Sequence, residues 1–194
     1  MGMNDAKGRV IVATGFHNPH MANLGRTLEA MGCQILYPNQ DVDVMVYDAY
    51  GKHLYETERQ NIEVLRYNQE MLEASGMDWW NATGRVTGIL NVSPLLKMFD
   101  PRKHVLIMDP RLCLTLSAYS RLNAILLFMD TTNPQANATH LTKVWGMDDE
   151  YWLGLQGVYD ATFAGCHFDH CRIPDIAVND RSAIQEAFGT LLAF

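Results

Sequence analysis

The chain has 194 residues, 48% of them hydrophobic and 19% charged, with 14 glycines and 7 prolines scattered along it, which is the make-up of one globular domain over residues 1–194 that needs no disulfide or metal staple. A formal charge of −7, from 15 Lys plus Arg against 22 Asp plus Glu, argues against the basic face that nucleic acid requires. No apolar run nears the ~20 residues of a membrane span and the opening MGMNDAKG is too polar for a secretory signal, so a cytoplasmic protein with no membrane partner is expected.

The first element is a strand, RVIVAT, ending at Gly15. MANLGRTLEAMG follows as a helix with Leu24, Leu28 and Met31 on one face and Gly32 as its stop. CQILYP reads as a short strand, and KHLYETERQNIEVLRYNQEMLEASG as one long helix carrying Ile62, Leu65, Met71 and Leu72 and closed by Gly76. WWNATGRVTGILN is Gly-rich and aperiodic, hence a loop, with a short helix around SPLLKMF. KHVLIMDP is a strand stopped by Asp109 and Pro110, with RLCLTLSAYS as a helix behind it.

NAILLFMD repeats the strand signal, and NPQANATHLTKVWG is a helix with Pro134 in its first turn. DDEYWLGLQGVYDATFAG is another helix, CRIPDIAVND the last strand, and RSAIQEAFGTLLAF a closing amphipathic helix. Continuous apolar strands alternating with helices predict an α/β fold of three layers, α/β/α, around a central parallel sheet. Ligands then bind beyond the carboxyl ends of the strands, near Gly15 to Ala22, Asp109 to Arg111 and Asp130 to Pro134.

A strand, a loop and a helix at GRVIVATGFHNPHMANLG are the frame of a phosphate-binding loop, G-x-x-x-x-G-K-[ST]. With Gly15 as the first glycine, His20 takes the second glycine slot, Met21 the Lys slot and Ala22 the hydroxyl slot. Three of the four signature positions differ, which removes the cation and the metal-holding hydroxyl from nucleoside triphosphate hydrolysis.

Taken together, four stretches resemble the bacterial-type sulfotransferase family, P-loop-like proteins that transfer a sulfuryl group from 3'-phosphoadenosine 5'-phosphosulfate. They are GFHNPHMANLGRTLEAMG, similar to the family's GFHRSGTSxLxRLLxxLG, then YETERQNIEVLRYNQEMLEASGMDW, MDPRLCLTL, and ILLFMDTTNPQANATHLTKVWGMDDEYWLGLQGVYDATFAG. They run in the family's order from Gly8 to about Gly165. The resemblance implies a P-loop NTPase/sulfotransferase-like fold and a donor site built from Gly15, Phe16, His17, Asn18, Pro19, His20, Met21, Ala22, Thr132 and His140.

The residues that grip the donor in the family are replaced here. Asn18, Pro19, His20, Met21 and Ala22 stand for Arg or Lys, Ser, Gly, Thr and Ser or Thr. Thr132 and His140 stand for the Arg and Ser that hold the 3'-phosphate, and Met108 for a Lys, while Asp109, Pro110 and Arg111 are kept. Loss of two or three charge-assisted contacts of ~1.5 to 3 kcal/mol each weakens donor binding by orders of magnitude.

Two readings follow: a sulfotransferase-like enzyme with an altered donor site, in which His17, His20 and Arg111 act on the transferred group, or a non-catalytic binding protein on the same fold. Either takes a small-molecule or anionic ligand. His17 and His20 equally fit loop packing, and Asp109 with Arg111 an internal ion pair. Glu56 and Glu58 fit a general base or exposed helix charges. The four cysteines, Cys33, Cys113, Cys166 and Cys171, fit reduced thiols. In CHFDHC, residues 166–171, Cys166 with His170 or His167 with Cys171 offers half a metal site, but loop and core roles suit that crowding better, and no metal is expected. The acceptor pocket falls on residues 38–55 and 76–95.

Overall fold

The computed structural model describes residues 8–34, 62–78, 81–86, 100–108, 110, 112–122, 124–167, 169–189 and 191–192. Four parallel strands form the sheet: β1 Val10–Gly15, β2 Val105–Met108, β3 Ile125–Asp130 and β4 His170–Pro174, in the order β2-β1-β3-β4. Gln34 makes an isolated parallel bridge to Val105 on the free side of β2; Cys33 before it is not in a strand, and the rest of CQILYP, from residue 35 on, lies outside the described residues.

The sheet is apolar on both faces, as strands buried between helices must be. On one side Ile11, Ala13, Leu106, Met108, Ile125, Leu127 and Met129 pack with Leu24 and Leu28 of α1 (Met21–Ala30) and Ile184 and Phe188 of α6 (Arg181–Phe188). On the other, Val12, Ile107, Leu126 and Phe128 pack with Leu72 of α2 (Ile62–Ala74), Leu112 to Leu114 of α3 (Leu112–Thr115), Leu141 of α4 (Pro134–Trp145), and Trp152, Tyr159 and Phe163 of α5 (Asp149–Ala164). The three-layer α/β/α fold with a central parallel sheet is therefore the architecture of the protein.

Local chemistry fixes the element ends. Asn133 accepts from Ala136 N, Pro134 opens α4 and Gly146 closes it at φ 82°. Asp148 and Asp180 cap α5 and α6 in the same way. By contrast α1 has His20 at its cap position with no side-chain cap hydrogen bond.

Three elements differ from expectation. RLCLTLSAYS forms one α turn and then a 3-10 helix, Leu116–Leu122, pinned where the Thr115 and Tyr119 hydroxyls donate to buried Asn68 Oδ1 at 2.7 and 2.9 Å. β4 stops at Pro174, which lacks an amide hydrogen for the ladder, and Asp175–Ala177 turn instead as a 3-10 helix. The closing helix ends at Phe188, before Gly189 at φ 50°, short of the expected Phe194. The short helix at SPLLKMF, Glu56 and Glu58, Asp109 and Arg111, and residues 38–55 lie outside the described residues, as do 79–80 and 87–95 of the expected acceptor loops. No helix among the described residues is long and apolar enough to cross a membrane.

Candidate functional site

β1 lies between β2 and β3, and the chain leaves β1 toward Gln34 on one side but leaves β3 toward β4 on the other. Such a reversal opens a crevice at the carboxyl ends of the strands. A cavity of about 280 Å³ occupies it, walled by Asn18, Pro19 and His20 after β1, Thr132, Asn133, Ala136, Asn137 and His140 after β3, and Asp175 and Ile176 after β4. That size is near the lower end for small-molecule sites, ~300 to 1,000 Å³.

Five of the expected site residues come together there: Asn18, Pro19, His20, Thr132 and His140. The others stand elsewhere. Phe16 and Met21 are each 1% exposed and belong to the two core layers. His17 is fully buried; its Nε2 shares a 3.0 Å hydrogen bond with the Tyr159 hydroxyl, and its main-chain oxygen accepts from Asn137 Nδ2 at 2.9 Å. The side chain of Ala22 and the whole of Arg111 lie outside the described residues.

Gly15 has a packing reason to be glycine. A Cβ there would stand 2.6 Å from the main-chain oxygen of Met129, its register partner on β3. Next to it Thr14 donates to Pro110 O and accepts from Cys113 N, both at 3.0 Å, which fastens the end of β1 to the turn before α3.

The organising residue of the cavity is Asp175, only 6% exposed. One carboxylate oxygen accepts from Asn18 Nδ2 at 2.8 Å; the other accepts from Thr132 N at 3.2 Å and from the Thr132 hydroxyl. Asn18 in turn accepts His20 N at 2.9 Å through its Oδ1, folding the loop into an Asx turn. No Lys or Arg is among the described residues lining the cavity.

Sequence reasoning missed Asp175, which it had placed within the last strand, and also Asn137 and Ile176, while Asn133 falls inside the expected stretch Asp130 to Pro134. The available signal was Pro174, whose missing amide hydrogen marks a strand end.

The CHFDHC segment does not converge. Cys171 faces the core, where burial pushes its thiol up to about 12, while His167, Asp169 and His170 are exposed. Among the described residues no group of three His, Cys, Asp or Glu side chains can hold a metal ion.

A second polar cluster lies at the carboxyl end of β3, where Arg172 pairs with Asp130 through its Nε and a terminal nitrogen. Its guanidinium also covers the Phe128 ring at 4.9 Å. This pair closes over core rings and lines neither the crevice nor the cavity bounded by Arg85 and Gly157.

No protein-family model and no curated protein matches the chain.

Proposed function

We propose that the chain is a sulfotransferase-like, P-loop-like protein whose crevice at the carboxyl ends of β1, β3 and β4 binds a small ligand without sulfuryl transfer. The observation that carries this reading is the Asp175 carboxylate bonded to Asn18 and Thr132, two positions that the resemblance gives to donor-gripping side chains. A buried carboxylate there repels the sulfate and phosphate groups of 3'-phosphoadenosine 5'-phosphosulfate, and the described cavity wall offers no Lys or Arg in return. A cytoplasmic setting agrees with four free cysteines.

The rival reading, sulfuryl transfer with an altered donor site, draws support from the crevice lying where the resemblance puts the donor. It would use Arg111 and His20 to stabilise the transferred group. Thermal shift with 3'-phosphoadenosine 5'-phosphate and with ATP at millimolar concentration separates the two. No response to either is expected, whereas a rise in Tm with the first ligand that His20→Ala abolishes would overturn the binding-only reading.

A further inference from the structure

We infer that the crevice is a site for a small cationic ligand, an ammonium or amidinium group carried on a compact apolar or aromatic body. The inference rests on the binding reading above and adds the chemical class of what is bound. Its ground is a buried carboxylate on the cavity wall with no Lys or Arg among the described residues that line it.

Among the described residues the Asp175 carboxylate takes hydrogen bonds from Asn18 and Thr132 alone, and no cation stands beside it. A carboxylate has about four acceptor positions, and three are occupied, so one remains on the oxygen that Asn18 uses. Asn137 is 7% exposed and gives its Nδ2 to His17 O, while no donor among the described residues reaches its Oδ1. His140 Nε2 is buried with no partner among the described residues. Asp175 and Asn137 thus hold acceptor capacity that the described residues leave unused, and the buried His140 Nε2 lacks a partner in either tautomer.

The side-chain donors on the same wall include the Asn133 amide and the His20 ring N–H, with no Lys or Arg among the described residues. Asn133 uses its Oδ1 on Ala136 N and keeps its Nδ2 at the exposed rim. The amino end of α4 is closed by that same Asn133 and by Pro134, which has no amide hydrogen. The amino end of α1 lacks a side-chain cap and favours negative charge, but a helix end supplies at most the equivalent of about half a charge. The carboxylate of Asp175 exceeds it, so the described wall of the crevice favours a cation.

The size and the rim complete the specification. A cavity of about 280 Å³ takes a body of one or two rings. Pro19, Ala136 and Ile176 give it an apolar edge, and Ile176 is 73% exposed, an uncommon place for a large aliphatic side chain. An amine that donates to Asp175 and Asn137 while its body rests on Ile176 satisfies these features.

The test is calorimetric titration of the full chain with benzylammonium, benzyl alcohol and benzoate, three probes of one shape that differ in charge. Benzylammonium is expected to bind, benzyl alcohol about ten- to a hundredfold more weakly, and benzoate not at all. Asp175→Asn should remove most of the preference for the amine. Because Asp175→Asn can also unsettle the fold, Ile176→Lys is measured beside it: this exposed change puts a cation on the rim and should weaken benzylammonium at least about threefold. Benzoate binding as well as the amine, no amine binding at all, or amine affinity unmoved by Ile176→Lys would each overturn the inference. Those outcomes leave the binding-only reading standing, whereas binding of 3'-phosphoadenosine 5'-phosphate in the same titration series defeats that reading itself.

Discussion

Asn18 Nδ2 donates to Asp175 Oδ2 at 2.8 Å, joining the loop after the first strand to the turn after the last across 157 positions of sequence. Both side chains are nearly buried, at 2% and 6% exposure, so each desolvated partner depends on the other. A double-mutant cycle of Asn18→Ala and Asp175→Ala, followed by urea unfolding, should give a coupling energy of about 0.5–3 kcal/mol. Additive losses would mean that the two residues act independently.

Gly15→Ala should destabilise the protein by about 1–3 kcal/mol, as overpacking does, because the added methyl meets Met129 O at 2.6 Å and must push β1 away from β3. Thermal unfolding checks it. An unchanged Tm would show that Gly15 is dispensable to the sheet.

Tyr159→Phe removes the hydroxyl that shares a 3.0 Å hydrogen bond with buried His17 Nε2. It should cost about 1–3 kcal/mol in denaturant unfolding. Tyr159 does not line the cavity, so benzylammonium affinity should stay within about twofold of the parent. A large loss of affinity with no loss of stability would instead place His17 in ligand binding.

Acid weakens the α4–α5 clasp. The Thr139 and Thr142 hydroxyls, with the Gln135 amide, donate to Asp149 at 2.6, 2.6 and 2.7 Å and hold its carboxyl below the usual range. A carboxyl depressed in the folded state stabilises above its unfolded pKa, ~3.9, and this is lost as pH falls through the lower folded value. The gap in urea midpoint between the parent and Asp149→Asn should be level above about pH 5 and close below it. A gap that does not narrow as the pH falls below about 3.9 contradicts the assignment.

Burial pushes the thiols of Cys33 and Cys171 up to about 12, so neither supplies thiolate at neutral pH. Ellman's reagent at about pH 8 should leave both unlabelled in the folded protein, react first at the half-buried Cys166, and reach four thiols only in denaturant. Rapid labelling of Cys171 would mean that β4 opens readily.

What the sequence made legible was local. Asn133, Pro134 and Gly146 bracket α4 because a cap, a fixed φ and a left-handed residue act within one turn. The strands were readable because they are buried on both faces and so are continuously apolar. Asp175 was not, since its partners lie 157 and 43 positions away and no local pattern announces a hydrogen bond made at that distance. Gly15 illustrates a different gap. A glycine needed for close packing against β3 and one needed for a phosphate leave the same letter in the sequence, and only the 2.6 Å approach of Met129 O distinguishes them. Thr132 and His140 were named through family resemblance, Thr132 also through its place after a strand end, and here the Thr132 amide and hydroxyl donate to Asp175.

The position of β1 in the sheet bears on how the chain is made. Of the four described strands it is the first to leave the ribosome, yet its neighbours are β2, from residue 105, and β3, from residue 125. Until those are synthesised, an apolar ribbon with both hydrogen-bonding edges bare must be kept from pairing with other chains. The crevice closes later still, when Asp175 arrives. Any shortened version ending before β4 therefore bares the hydrogen-bonding edge of β3 and the sheet face that α6 covers, and lacks the Asp175 wall of the crevice, so such fragments should be recovered as aggregates rather than as weak binders.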